Sequence, residues 1–306
     1  MLIFKRIEWD YRGAFSMQER IKNYLTDIKR LVDQKLEEIL KNNNPLVDAL
    51  YKSASYSVSG GKRVRAVFAV LVSRLFDVSR EKMIDPACAI ELVHAASLIM
   101  DDLPYMDDSQ LRRGKPANHV VFGQDVALLA SIGIISEALQ LILSNNTLSA
   151  EERLQMASVL DRAFGFNGLP AGQFVDLKLK RKDIDFEIIE FINQKKTAAL
   201  FQAAGQIAAL AGHASDRQME AITSYSQDIG FAFQIVDDLL DLNEHDRTVG
   251  HSSKEEKMNF VNLVGKEKAR KYLNEYRRKA EDALKIFGSK ADELKAFTEY
   301  LMQRVQ

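Results

Sequence analysis

The chain has 306 residues, 46% of them hydrophobic and 28% charged, which is the composition of a globular protein able to bury a sizeable core. Its 42 basic and 43 acidic side chains leave a formal net charge of −1, so no overall basic field points to nucleic acid, and charge has to be read locally. The one cysteine, Cys88, excludes an internal disulfide framework and a thiolate metal cage and fits a reducing, cytoplasmic setting.

The first residues, Met1-Leu2-Ile3-Phe4-Lys5-Arg6-Ile7, run straight into Glu8, Trp9 and Asp10, with no apolar stretch of signal-peptide length. Only 5 prolines and 15 glycines punctuate the chain, and no Pro/Gly/Ser-rich linker or shift in composition divides it, so a single domain over 1–306 is expected. Residues 17–42 place Ile21, Tyr24, Leu25, Ile28, Leu31, Val32 and Leu36 on one stripe with charged residues opposite, the pattern of an amphipathic helix. Similar periodicity predicts helices over 64–76, 86–103, 119–145, 150–165, 184–211, 216–243 and 266–304. Asp85 and Pro86 read as the N-cap and first residue of the 86–103 helix. The most apolar run, 126–143, is interrupted by Ser131, Gly133, Ser136, Glu137 and Gln140. A bilayer span needs about 20 mostly apolar residues, so this run is read as a buried core helix and no membrane span is expected. No Asn-Gly or Gly-Gly hairpin and no repeat of solenoid length is present. The fold class expected is all-α.

Two of these helices carry residues that an apolar helix should not bury alone. One ends in Asp101-Asp102-Leu103-Pro104-Tyr105-Met106-Asp107-Asp108, with His94 about two turns earlier on the face of Asp101. The other carries Gln234, Asp237, Asp238 and Asp241 at helical spacing, beside an apolar face of Ile229, Phe233, Val236 and Leu240. Clustered carboxylates repel one another unless a cation neutralises them. Hard divalent cations prefer oxygen, and Mg²⁺ takes one or two carboxylates together with substrate phosphates. Two such clusters facing each other would hold several Mg²⁺ around one diphosphate.

Cationic residues stand close to both clusters. Gly60-Gly61-Lys62-Arg63-Val64-Arg65 opens a helix whose free N–H groups already favour an anion, and Lys62 and Arg65 lie one turn apart. Arg112 and Arg113 follow the first cluster within Leu111-Arg112-Arg113-Gly114-Lys115-Pro116; being adjacent they point different ways, which suits two separate diphosphates.

The strings GGKRVR, HAASLIMDDLPYMDDSQLRRGKPANH, GQFVDL, KKTAALF and FAFQIVDDLLD resemble, in order and over about 46–265, the motifs of trans-isoprenyl diphosphate synthases. They look most like bacterial geranylgeranyl diphosphate synthases of the carotenoid-pathway type. The resemblance implies an isoprenoid-synthase-like bundle of about ten or more helices around a deep central cavity, usually as a homodimer. It implies a Mg²⁺-dependent enzyme, with two to three ions per site, that condenses isopentenyl diphosphate with an allylic diphosphate.

By motif, Asp101, Asp102 and Asp107 resemble the first Mg²⁺ cluster, and Asp237, Asp238 and Asp241 the second. Arg112 would grip the allylic diphosphate and Arg113 the isopentenyl diphosphate, the latter with Lys62, Arg65, His94 and the backbone at Gly61. Lys196, Thr197 and Gln234, with Lys257, match residues lining the allylic diphosphate and the carbocation, and Gln173 and Asp176 match the GQxxDL element. Upstream of the first motif, where the family places a chain-length floor, stand the small residues Ala96 and Ser97. They leave Phe122, Val126 or Leu129 as the next barrier and imply a twenty-carbon product. The alternative within the family is a farnesyl diphosphate synthase.

The sequence departs from the family pattern at two places. Ala66 replaces a usual proline, and the loop 250–257 is shorter, with His251 where lysine is common. A terpene cyclase or head-to-head synthase would leave Lys62, Arg65 and Arg113 without a role. A non-catalytic subunit tolerates loss of one aspartate cluster, yet both are present here, and a plain helical scaffold leaves the arginine pair unexplained.

Overall fold

In a computed structural model, residues 17–179, 183–245 and 259–303 are described. Among them, fourteen α-helices form the expected all-α architecture: α1 (Met17–Ile39), α2 (Asp48–Val58), α3 (Val64–Arg74), α4 (Arg80–Asp101), α5 (Asn118–Phe122), α6 (Gln124–Leu143), α7 (Ala150–Phe164), α8 (Leu169–Lys178), α9 (Phe186–Asn193), α10 (Ala199–Ala211), α11 (Asp216–His245), α12 (Phe260–Val264), α13 (Lys266–Ala283) and α14 (Asp292–Met302).

The apolar stripe of α1 is buried at Ile21, Ile28, Val32 and Leu36 and packs on α3, α4 and α14. Helices α3, α4, α10 and α11 are the inner ones. On α3 every residue from Arg65 to Ser73 is buried, and α4 packs against α3, α6 and α10. Phe68 on α3 meets Phe201 on α10, Tyr225 on α11 and Phe297 on α14 at centroid distances of 5.4, 5.7 and 6.0 Å, an aromatic node in the core.

Capping fixes several helix starts. Ser149 and Glu152 form a reciprocal capping box on α7, and Asp185 and Asn259 cap α9 and α12 by accepting from the N–H of Ile188 and Asn262. The start of α4 differs from the sequence expectation. Ser79 accepts from the N–H of Lys82 and begins the helix at Arg80, so Pro86 lies inside it. The supposed cap, Asp85, instead pairs with Lys35 at 3.0 Å and accepts from Asn145.

Other differences bear on function. The segment expected as one helix over 184–211 contains a π-helical turn at Gln194–Ala198, wedged between α8 and α11. A Cβ at Gly172 would approach the Lys196 nitrogen to 2.6 Å, and one at Gly230 the Ala198 Cα to 2.7 Å, so glycine is what lets both helices close on the turn. The 266–304 segment is likewise split, at Gly288. A two-residue hairpin is present after all: β1 (Leu111–Arg112) pairs antiparallel with β2 (Lys115–Pro116) across Arg113 and Gly114. Both turn residues have positive φ, 53° and 73°, the requirement of a type I′ turn, which here is met without an Asn-Gly signal.

Helix α6 is not buried all round. Its inner face holds Ala127, Ala130, Ile134 and Ala138, while Leu128, Leu129, Ile132 and Leu143 are exposed. By length and hydropathy alone α4 and α6 would both pass as membrane spans; α4 is mostly buried within the protein and α6 packs one face on α4.

Candidate active site

The inner helices enclose a cavity of about 780 Å³ that collects most of the residues singled out in the sequence. Three groups of elements supply them. The Gly60–Arg63 loop and the start of α3 contribute Lys62 and Arg65. The C-terminal half of α4 and the hairpin contribute His94, Ser97, Asp101, Asp107, Arg112 and Arg113. From the far side, α8, the π-turn and α11 contribute Gln173, Lys196, Thr197, Gln234 and Asp237. Leu98, Phe164, Leu169 and Phe233 give the same cavity an apolar wall.

The paired aspartates divide between two tasks. Asp101, Asp107 and Asp237 line the cavity, whereas Asp102 and Asp238 do not and are 2% and 4% exposed. Neighbouring side chains on a helix diverge by about 100°, which favours dividing a DD pair between two directions. Asp102 and Asp238, expected from the sequence to hold metal, are instead engaged by protein groups here. Asp102 accepts from Arg112 through both Nε and Nη2, with Nε 3.1 Å from each carboxylate oxygen. Asp238 accepts from Gln234 Nε2 at 2.7 Å and from the N–H of Phe260 at 3.0 Å. Asp241 is exposed one turn further along α11 and lies outside the cavity lining.

On the far wall Lys196 Nζ donates to Asp176 Oδ2 at 2.8 Å. Burial alone would lower the Lys196 ammonium; Asp176, with Asp101 and Asp107 behind it, more than offsets this, so it stays fully charged. Thr197 Oγ1 donates to Gln234 Oε1 at 2.6 Å, and the amide passes the polarisation on to Asp238. The Thr197 oxygen thus keeps its lone pairs for the cavity.

The cationic wall is dense. Arg65 stacks over the rings of Phe201 and Phe233 at 5.0 and 5.9 Å, and its Nη1 lies 3.4 Å from His94 Nε2. Burial, then Arg65, Arg113 and Arg112, push the His94 imidazole well below its ordinary range, so it is neutral and poorly suited to take a proton. Burial and neighbouring Arg63 also lower the Arg113 guanidinium, while Arg112 is raised because its bonds to Asp102 outweigh burial. The adjacent arginines thus serve opposite sides: Arg112 is held on the aspartate side and Arg113 turns toward Gly61 and Arg63.

Two charged cavity residues were missed in the sequence reading, Arg63 and Glu91, both buried. A buried glutamate within the apolar 86–103 pattern was the available signal. Of the chain-length residues, Ser97 lines the cavity, but Ala96 is fully buried outside its lining. None of the residues expected as the next barrier, Phe122, Val126 and Leu129, lines this cavity. Phe122 packs edge-on against Tyr56 at 5.5 Å and Leu129 is exposed, leaving Phe164, Leu169 and Phe233 as the apolar wall. Lys257 and His251 fall outside the described residues.

The donor set fits Mg²⁺ in kind. Asp101, Asp107 and Asp237 offer hard carboxylate oxygens to one cavity, and Gln173 Oε1 is buried there with no hydrogen-bond partner. No three His, Cys, Asp or Glu side chains converge as a metal cluster among the described residues. An ion held here takes its remaining oxygens from diphosphate and water, as Mg²⁺ commonly does.

Carboxylates and cations that face each other across one apolar-walled cavity in a helical bundle define an enzyme that manages diphosphate groups and a water-sensitive carbon skeleton. The polyprenyl synthetase family model matches residues 47–301. The chain is 36% identical over 307 residues, covering 96% of it and 83% of the relative, to a protein named putative geranylgeranyl pyrophosphate synthase 8, chloroplastic, of Arabidopsis thaliana. It is 35% identical to geranylgeranyl pyrophosphate synthase, chloroplastic, of Catharanthus roseus over 92% of this chain and 81% of that protein. Among solved structures, an FPP/GFPP synthase of Zymomonas mobilis superposes with a TM-score of 0.85 at 31% identity, over 93% of this chain and 99% of that one. A geranyltransferase of Legionella pneumophila gives the same TM-score and identity over 94% and 99%. The chain belongs to the polyprenyl synthetase family and is an isoprenyl diphosphate synthase, a prenyltransferase that joins isopentenyl diphosphate to an allylic diphosphate.

Proposed function

We propose that this synthase releases geranylgeranyl diphosphate, and that its cavity divides the two substrates between its two charged walls. The observation that carries the division is the divergence of Arg112 and Arg113. Arg112 is anchored by Asp102 beside Asp101, where the allylic diphosphate sits; Arg113 joins Lys62 and Arg65, where the isopentenyl diphosphate sits. Asp101, Asp107 and Asp237 would hold Mg²⁺, two to three ions in all. Bound there, Mg²⁺ supplies Lewis-acid neutralisation of the diphosphate charge. Arg112 and Lys196 add fixed positive charge where the leaving group's negative charge grows as the allylic C–O bond breaks. Leu98, Phe164, Leu169 and Phe233 exclude water from the carbocation, and the Thr197 oxygen points a dipole toward it. The isopentenyl double bond attacks and a proton is lost. Neutral His94, ringed by arginines, is not its acceptor; the departed diphosphate is the available base.

The product length rests on small side chains at Ala96 and Ser97 and on the names of the plant relatives. A fifteen-carbon product is the second reading, favoured by the position of Ala96 outside the cavity lining. Incubation with isopentenyl diphosphate, each allylic primer and Mg²⁺, followed by chromatography of the dephosphorylated products, decides between them. Twenty carbons are expected from the wild type and fifteen from Ser97→Tyr, since Ser97 is the chain-length residue that lines the cavity. A wild type that stops at fifteen, or a Ser97→Tyr enzyme with unchanged product, refutes the assignment.

A homodimer in a cytoplasmic setting completes the proposal. The exposed apolar side chains Val120 and Val121 on α5 and Leu128, Leu129 and Ile132 on α6 form a face of the kind subunits bury. Light scattering on Ile132→Glu and the wild type tests it: a dimer that the variant splits is expected, and a monomeric wild type removes the idea.

A further inference from the structure

The substrate assignment above, on which this inference rests, gives roles to Lys62 and Arg65 but none to the arginine between them. Arg63 is 4% exposed, and its backbone sits in the left-handed region at φ 55°, ψ 30°, uncommon for a residue with a Cβ. All three nitrogens of its guanidinium face protein groups. Nε donates to Asp33 Oδ1 at 2.7 Å, Nη2 donates to the carbonyl of Val58 at 2.6 Å, and Nη1 lies 3.7 Å from Glu91 Oε2.

Glu91, 3% exposed, accepts the N–H of Ala66 at 3.1 Å through its other oxygen. A proline at position 66 would have no such N–H to give. One guanidinium therefore ties α1, the end of α2 and α4 together, and Glu91 extends the tie to the first turn of α3. The Gly60–Arg63 loop crosses above this point, close enough that a Cβ at Gly61 would come within 2.7 Å of Arg63 Nη1. The charges agree with a positioning task. Glu91 is a buried carboxylate facing Arg63, Arg65 and Arg113, and so it offsets the mutual repulsion of the three guanidiniums.

We infer that Arg63, held by Asp33, the Val58 carbonyl and Glu91, is a positioning residue for the isopentenyl diphosphate half of the cavity, fixing the loop and helix start from which Lys62 and Arg65 reach one diphosphate. Nε and Nη2 are hydrogen-bonded to the protein and Nη1 faces Glu91, so the guanidinium is anchored where it orients the ligands. The allylic half, built from the end of α4, the π-turn and α11, does not depend on it.

The test compares wild type, Arg63→Lys, Asp33→Asn and their double variant. Lysine keeps the charge but loses the planar fork. The Michaelis constant for isopentenyl diphosphate is expected to rise about tenfold or more, with kcat and the allylic Michaelis constant within about twofold of wild type. The double variant should be no worse than Arg63→Lys alone, because both changes open the same clamp. Equal rises in both Michaelis constants, or an unchanged constant for isopentenyl diphosphate, overturn the inference. Arg63→Gly relieves the left-handed backbone while removing the guanidinium; wild-type binding in that variant would overturn it too. Calorimetric titration with isopentenyl diphosphate keeps the two readings apart. A wild type that binds it but yields no elongated product defeats the proposed reaction, and the Kd values of the variants still decide the clamp. A wild type that does not bind it defeats both.

Discussion

The two aspartate motifs both open on Asp-Asp-Leu, yet the structure finishes them differently. In each, the first aspartate faces the cavity and the second is buried behind it. Behind the motif at the end of α4, the buried Asp102 meets the guanidinium of Arg112, a cation that itself lines the cavity. Behind the motif on α11, the buried Asp238 meets, among the described residues, the amide groups Gln234 Nε2 and the N–H of Phe260. Burial, weakly countered by those amides and reinforced by Asp241 and Asp237, pushes the Asp238 carboxyl up to about 6. The first inner aspartate therefore aims a cavity-lining cation, whereas the second anchors the start of α12. A repeated motif shares its outward chemistry and takes its inward role from whatever packs behind it.

The largest expected effect treats the motifs as equal. Asp101→Ala and Asp237→Ala should each lower kcat by at least ~100-fold, the scale of losing one strong electrostatic stabiliser. Excess EDTA should abolish turnover and Mg²⁺ restore it, as followed by steady-state product formation. Full activity in excess chelator would break the parallel at its root.

Next come the residues on which the motifs part. Arg112→Ala and Asp102→Asn should raise the allylic Michaelis constant together, since both release the same guanidinium, while Arg113→Ala should raise the constant for isopentenyl diphosphate. Lysine should rescue neither arginine fully, because it is a point charge without the fork. Matching kinetic profiles for Arg112→Ala and Arg113→Ala would show that the substrate assignment is wrong.

Asp238→Asn should act mainly on stability. An asparagine offers one acceptor to two buried donors, and leaving one unpaired costs about 1–3 kcal/mol. Thermal melting should register that loss with a smaller kinetic change than Asp102→Asn produces; the reverse order would undo the contrast drawn between the motifs.

The smallest effect isolates burial from metal chemistry. Asp228 lies on α11 outside the cavity, and burial, only partly countered by Lys279, lifts its carboxyl from 3.8 to about 6. A carboxyl raised in the folded state holds its proton more tightly folded than unfolded. Its contribution is thus fully present below pH about 4 and is lost as pH rises toward about 6. In melting curves from pH 4 to 7, Asp228→Asn should make the Tm fall less steeply with pH than it does in wild type. Parallel slopes would show that this carboxyl titrates normally.

Much of this was legible in the sequence because it depends on short-range periodicity. The α1 stripe, the apolar character of α4 and α11, and the two-turn spacing that puts His94 and Asp101 on one face are all properties of one helix at a time. Elements lacking a clear apolar stripe were harder to read. Helices α2, α8 and α12 were not delimited by periodicity; α12 has five residues, and its Asn259 cap shows itself only once the chain is folded. Ser79 outcompeted the more conspicuous Asp85-Pro86 pair as the start of α4, because Asp85 was already engaged by Lys35 and Asn145.

The sequence by itself determined the helical class, the two carboxylate clusters, the cationic groups beside them and the family they mark, because residue type and spacing along a single helix carry that information. Only the tertiary structure decided which aspartate of each pair faces the cavity, that Gln194–Ala198 takes a π-turn between two glycine-lined helices, and that Arg63 and Glu91 lock the corner carrying Lys62 and Arg65. These depend on partners distant in the chain, Asp33 for Arg63 and Phe260 for Asp238, and no local pattern encodes which distant group will arrive to satisfy a buried charge.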